Sequence, residues 1–290
     1  MPLGKEIYMA QFTNQARLSY LDNVTVSNVA VGQLLNAITV TKTPVSDTYS
    51  LNDSITYVIN IINTGTAPYS NLTVTDDLGA YEYNGSTLVP LDYVDGSIKY
   101  FINGVLQPAP TVTSASPLTV SGISVPVGGN TAIVYEATTN QFAPLNEGGQ
   151  IVNQATVSGS GFTPITADST VTVESAPQLS ISKSISPIPV STGGTVTYTF
   201  TISNTGNTPL LATDNAILTD TFDPILSDLT VTFNGVALVE GVGYSYDQLT
   251  GLFSTLDGQI TVPAASYTQG SGGEYLVTPG ESVLVITGTI

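Results

Sequence analysis

The sequence predicts an all-β protein, two tandem immunoglobulin-like β-sandwich domains with an N-terminal donor-strand segment, and three observations carry that reading. The first is composition. Of 290 residues 41% are hydrophobic, and 27 Gly, 17 Pro and 15 Tyr stand among many Val, Ile and Thr, a mixture suited to short strands broken by turns and to two cores of ordinary size. The second is alternation of apolar and polar residues between Gly, Pro and Asn turns at short intervals, with no helical period beyond a turn or two. The third is an internal repeat.

Taken in chain order, the first element is "QFTNQARLS" (11–19), which is matched at five of nine positions by "QIVNQATVS" (150–158) in the middle of the chain. Next comes "ITVTKTPVSDTYSLNDSITYVINIINTG" (38–65), which aligns without a gap to "LSISKSISPIPVSTGGTVTYTFTISNTG" (179–206). Lys42 falls on Lys183, Tyr57 on Tyr198 and Asn63-Thr64-Gly65 on Asn204-Thr205-Gly206, at a constant offset of 141 residues. "LTVTDD" (72–77) then matches "AILTDT" (216–221), placing Asp76 on Asp220. "FINGV" (101–105) matches "TFNGV" (232–236), both with the Asn-Gly of a tight hairpin. Between the copies lies "ESAPQ" (174–178), whose Pro177 interrupts strand pairing. The expected organisation is a donor segment over 1–36, a first sandwich over 37–175 and a second over 178–290.

The order of a lysine strand, a strand ending in "NTG", then "VTD" and finally "NQATV" resembles the conserved repeat domain of unknown function that recurs in tandem in bacterial surface proteins. A short two-copy chain of this kind is also similar to the subunits of clostridial ribbon-like spore appendages. The resemblance covers 37–175 well and 178–290 less completely. It implies a spore or cell-surface location.

Charge and composition exclude several functions. Five Lys and Arg stand against 22 Asp and Glu, a net charge of −17, so no basic face is available for nucleic acid or an anionic membrane. With no Cys and no His, disulfides, thiol chemistry, a zinc site and a histidine-based triad are all ruled out. No cofactor or metal is expected. The start "MPLGKEIYMAQFTNQ" has no apolar core of a secretion signal, and no stretch reaches the roughly 18 apolar residues of a membrane span. A layer assembled inside a mother cell and freed by lysis fits that reading.

In a strand, residues two apart share a face. One face of the opening strands reads Ile38, Val40, Lys42 and Leu179, Ile181, Lys183; the "VTD" strands read Leu72, Val74, Asp76, Leu78 and Ala216, Leu218, Asp220, Phe222; the "NQA" strand reads Ile151, Asn153, Ala155, Val157. A lysine, an aspartate and an asparagine therefore point into one core. Burial drives both ionisable groups toward neutrality. A neutral amine is a nucleophile and a protonated carboxyl polarises an amide carbonyl, so Lys42 is expected to attack the side-chain amide of Asn153 with loss of ammonia, Asp76 acting as the acid and Asp77 as its alternative. The product, an isopeptide crosslink, is also what resembling adhesin and pilin domains contain. Closing the 111 residues between positions 42 and 153 constrains the unfolded chain by about 4 to 5 kcal/mol on the loop-entropy argument used for disulfides. The plainer reading is a buried Lys–Asp ion pair beside a hydrogen-bonded Asn. Two of the four lysines occupy this one repeated position, which favours the crosslink.

Other candidates carry less. Asp92, Asp95, Asp214, Asp223 and Asp228 lie near expected turns without the spacing of a calcium loop. Tyr81, Tyr83, Tyr93, Tyr244 and Tyr246 read as packing pairs before a sugar surface. Asn23, Asn71 and Asn84 stand in glycosylation sequons, which matter only in a secreted protein.

The opening segment finds its place through the alignment. "VGGNTAIVYEATT" (127–139) matches "TPGESVLVITGTI" (278–290), so copy one continues to Asn153 where copy two has no counterpart. Asn14 stands at the distance after copy two that Asn153 has after copy one, counting on into a next molecule, and Phe12, Asn14, Ala16 and Leu18 repeat the inward row of Ile151, Asn153, Ala155 and Val157. The expectation is a head-to-tail homopolymer in which this segment enters the second sandwich of a neighbour, sealed by a bond from Lys183 to Asn14 with Asp220 as the acid. Related appendage proteins are the other expected partners. The alternatives are a segment folded back onto its own second domain, an adhesin module binding glycan or host protein, and an enzyme acting on an external substrate.

Overall fold

The computed structural model describes residues 10–34, 37–160 and 162–290, so the start of the expected donor segment lies outside the described residues, as does the Phe12 side chain. The described chain is all β, with one 3-10 turn at Ala212–Asp214. None of its helices is long and apolar enough to cross a membrane. Two compact units emerge: the described residues within 10–47, 52–140 and 152–171 form the first, and residues 48–51, 141–151 and 172–290 the second.

In the first unit two sheets enclose a core. One runs in the order Val105–Gln107, Lys99–Ile102, Asn130–Thr139, Ser54–Asn63, Ile38–Pro44; the other includes, in order, Thr111–Ala115, Leu118–Val125, Tyr69–Asp76, Gln150–Ser158 and Ile165–Val173. The alternation in sequence becomes alternation in burial. Ile55, Tyr57, Ile59 and Ile61 face inward from one sheet, and Leu72, Val74, Ala155 and Val157 from the other. Both expected Asn-Gly hairpins form. Asn103-Gly104 and Asn234-Gly235 take positive φ at both residues between the paired positions Ile102 and Val105, and Phe233 and Val236, the geometry whose twist matches that of the strands.

The repeated "NTG" is a latch. Asn63 and Asn204 are buried, and each accepts the amide hydrogen of its own Gly65 or Gly206 on Oδ1. Asn63 Nδ2 donates to the carbonyls of Ala67 and Pro126, and Asn204 Nδ2 to those of Thr208 and Pro263. The Thr64 and Thr205 amides donate to the carbonyls of Ala37 and Gln178, which stand just ahead of the two lysine strands. Glycine is required by close approach: a Cβ on Gly206 would sit 2.1 Å from the Ala176 carbonyl oxygen, and one on Gly65 would sit 2.7 Å from the Ala37 Cβ.

The second unit has a five-stranded sheet ordered Leu179–Ser186, Thr195–Asn204, Gly280–Thr289, Ser227–Phe233, Val236–Leu238, and a three-stranded one ordered Thr219–Thr221, Leu252–Thr255, Tyr244–Asp247. Val196, Phe200, Phe222, Phe253, Leu284 and Ile286 lie in its core. Every residue of Leu179–Ser186 is exposed, whereas Ile38 and Lys42 of the corresponding strand in copy one are buried. The expected inward row of Leu179, Ile181 and Lys183 is thus uncovered, because among the described residues no strand of this unit occupies the place that Gln150–Ser158 holds in copy one. The prediction from the latch is twofold. Asn204→Ala, which strips four backbone groups of a partner, the Gln178 amide being the fourth, should lower the unfolding free energy by about 3 kcal/mol, and Gly206→Ala should destabilise as well; urea titration of the purified variants measures both.

Candidate functional site

Lys42, Asp76 and Asn153 come together in the core of the first unit, each from the strand and face that alternation assigns to it. Lys42 Nζ lies 2.7 Å from Asp76 Oδ2, both side chains almost wholly buried. Their approach is not aligned as a hydrogen bond, and Nζ has no hydrogen-bond partner among the described residues. It also faces the Tyr57 ring, 5.0 Å from its centroid. Burial holds the Lys42 amine below its ordinary pKa, against the opposing pull of Asp76.

A fourth residue belongs to the cluster. Tyr135, on the strand Asn130–Thr139, donates to Asp76 Oδ2 at 2.6 Å and accepts a hydrogen from Asn153 Nδ2 at 3.2 Å. Its ring stacks on Tyr57, centroids 5.5 Å apart. The phenol has one hydrogen and Asp76 takes it, so the amide must turn its NH2 toward Tyr135. That orientation leaves Asn153 Oδ1 buried without a partner. The aspartate thus reaches the asparagine through a tyrosine, a link that the three-residue reading missed. The signal was present as a polar-tipped aromatic at a core position of 127–139.

Asp77, the alternative acid, is placed otherwise. Its Oδ1 accepts the amide hydrogens of Gly79 and Gln154, so it closes the turn after the aspartate strand and ties that strand to its neighbour.

The second copy of the site is open. Lys183 pairs with Asp220, but its side chain is 40% exposed where that of Lys42 is 0%. Its ammonium lies over the rings of Tyr198, Phe200 and Phe222. In the first unit the aspartate strand is paired on both sides, Asp76 opposite Leu118 and Ala155. In the second, Thr219–Thr221 is an edge strand, with Asp220 opposite Phe253 on its one paired side. An apolar cleft lined by Leu179, Ile181, Ile202, Leu210, Leu218 and Ile260 runs beside it.

Asn14 lies in a two-stranded ribbon of the first unit. Ala10–Asn14 pairs with Ala30–Leu34 and Arg17–Tyr20 with Asn23–Val26, and hydrogen bonds between Ala16 and Ser27 join the two stretches. Residues 13–31 are all exposed, Leu18 at 62%.

The weaker candidates resolve into packing and turns. Tyr244 is buried and stacks on Phe253, and Tyr93 lies against Tyr135. Among the described residues no group of three acidic side chains converges to hold a metal ion.

No family model and no curated protein matches this chain. Solved structures similar to it include the pilus backbone of Streptococcus pneumoniae (TM-score 0.35, 14% identity, 83% of this chain and 55% of that one). Others are a variant of the major pilin subunit of Bacillus cereus (0.38, 11%, 93% and 73%) and the full-length major pilin of Corynebacterium diphtheriae (0.34, 13%, 84% and 59%). The chain thus spans about half the length of the pneumococcal protein.

The buried amine makes a pH prediction. A lysine whose folded pKa lies below 10.5 binds fewer protons folded than unfolded, so its contribution to stability grows as pH rises toward 10.5. Tyr57 and Tyr135, held above 10 mainly by burial, act in the opposite sense above pH 10. In Asn153→Ala, which leaves the amine free, stability should rise with pH and turn over near pH 10. Adding Lys42→Met should remove the rise, as read by urea unfolding across the alkaline range.

Proposed function

We propose that this chain is a structural subunit of a bacterial surface fibre, with a Lys42–Asn153 isopeptide bond inside its first sandwich and a Lys183–Asn14 bond between successive subunits. The contrast between the two copies of one lysine site carries the reading. In copy one the site is sealed under the strand that bears Asn153, while in copy two the same lysine and aspartate stand beside an edge strand and an apolar cleft. An open edge of this kind accepts a strand from another chain.

The exposed ribbon supplies a donor of the right form. A lone two-stranded ribbon is marginal in water, and in copy one the asparagine strand is likewise paired with a second strand, Ile165–Val173. Insertion of the ribbon into the next subunit is a heterologous contact that does not close on itself, so it propagates as a filament. Asp76 and Asp220 serve as the acids of the two bonds. The spore surface is the setting that the repeat's resemblance implies.

Two measurements test this. The intact mass of the monomer should fall short of the sequence mass by one ammonia, and Lys42→Ala should restore it; a folded wild type of unmodified mass would end the claim for the first bond. On denaturing gels the wild type should show a ladder that survives boiling, collapsing to monomer in Lys183→Ala and Asn14→Ala, and deletion of residues 1–20 should abolish filaments. A monomer lacking two ammonias would mean that the ribbon closes on its own chain. Dose-dependent glycan binding by a sample that never polymerises would favour the adhesin.

A further inference from the structure

We infer that Tyr135 is a catalytic residue of the Lys42–Asn153 crosslink, carrying the proton that lets the amide nitrogen of Asn153 leave as ammonia. The inference rests on the crosslink reading above and adds to it a role for the hydroxyl that touches both the leaving nitrogen and the acid.

The difficulty of the reaction lies in its leaving group. An amide nitrogen departs only once it is protonated, and the proton must arrive where the lone pair appears. Asp76 Oδ2 is placed to take a proton from Lys42, at 2.7 Å. The group in contact with the leaving nitrogen is the Tyr135 hydroxyl, 3.2 Å from Asn153 Nδ2 and 2.6 Å from Asp76 Oδ2. It therefore bridges the acid and the leaving group.

The step balances without any outside reagent. Lys42 passes one proton to Asp76, and its neutral amine attacks Cγ of Asn153, forming the new C–N bond and moving the carbonyl pair onto oxygen. Nδ2 becomes tetrahedral and gains a lone pair, so its hydrogen bond to Tyr135 reverses. The phenol gives its hydrogen to Nδ2 as Asp76 re-protonates the phenol oxygen, and the charged Nζ returns a proton to Asp76. The C–Nδ2 bond then breaks, the carbonyl re-forms and ammonia departs, leaving a neutral amide, a neutral Asp76 and an unchanged Tyr135. Burial, and after it the Asp76 carboxylate, hold the Tyr135 phenol well above its ordinary pKa, so the exchange passes through a phenol that gives one proton while it receives another.

The second copy keeps the lysine, the aspartate and the first tyrosine, but not this one. Tyr135 stands opposite Tyr57 in the ladder, and the residue opposite Tyr198 is Ile286. The bond to Lys183 is accordingly expected to form more slowly than the bond to Lys42.

The experiment uses the full chain, synthesised and held in denaturant, then diluted to start folding. Tyrosine fluorescence times folding and intact mass times the loss of ammonia. Tyr135→Phe should fold as the wild type does and lose ammonia about 100-fold more slowly. Tyr93→Phe, which removes a buried hydroxyl from the ring that lies against Tyr135, should keep the wild-type rate, as a general effect on packing or polarity would not. If Tyr135→Phe folds and loses ammonia at the wild-type rate, the role of Tyr135 is overturned and the crosslink stands. If the folded wild type never loses ammonia, the crosslink fails and this inference with it. Should Tyr135→Phe not fold, the wild type in heavy water decides: slower ammonia loss after unchanged folding supports the relay, and an equal rate overturns it.

Discussion

A charged pair taken out of water at the centre of a sandwich is the constraint on which the first unit is built. Removing Lys42 and Asp76 from solvent costs several kcal/mol per ion, and their attraction offsets this only with good geometry and added hydrogen bonds. The surroundings answer that demand in part. Tyr135 satisfies one lone pair of Asp76, the Tyr57 ring faces the ammonium, and the turn after the aspartate strand donates the Leu78 amide to Asp76 Oδ1. Two buried atoms stay without an aligned hydrogen bond among the described residues: the lysine nitrogen, which keeps its ion pair to Asp76 at 2.7 Å, and the carbonyl oxygen of Asn153. They are the two functional groups that an amine–amide condensation joins.

The second unit shows the same components under the opposite condition. Lys183 keeps its water and its aspartate, and aromatic rings take the place of a covering strand. The apolar residues Leu179 and Ile181 are left exposed on an edge strand, lining the open cleft. A row of apolar side chains in solvent beside an unpaired strand edge is what soluble sandwiches otherwise avoid, and it sets the second unit's lysine site apart in exposure from the first although they share a repeat.

Much of this was legible in the sequence, because side-chain direction in a strand has a period of two. Parity along Leu72, Val74 and Asp76 put Asp76 inside and left Asp77 to the backbone, and the same parity placed Lys42 and Asn153. Pairing across the core is another matter. Nothing in one chain's periodicity says that Tyr135 lies between Asp76 and Asn153, because that contact depends on how two sheets face each other. Its trace was one of ten mismatches in the thirteen aligned positions, tyrosine at 135 against isoleucine at 286. The exposure of Lys183 was masked in the same way, since an inward row is inward only where something covers it.

The asparagine latch acquires a second meaning beside this geometry. By tying the Thr64 and Thr205 amides to the residues just ahead of each lysine strand, it pins the strand's register from its first residue. Slippage by one position would exchange the faces of the whole strand, turning Lys42 to solvent and a threonine toward Asp76. Neither threonine carries an amine. The "NTG" triplet is therefore a proofreading device for alignment, set more than twenty residues downstream of the lysine it aims, and each copy carries its own.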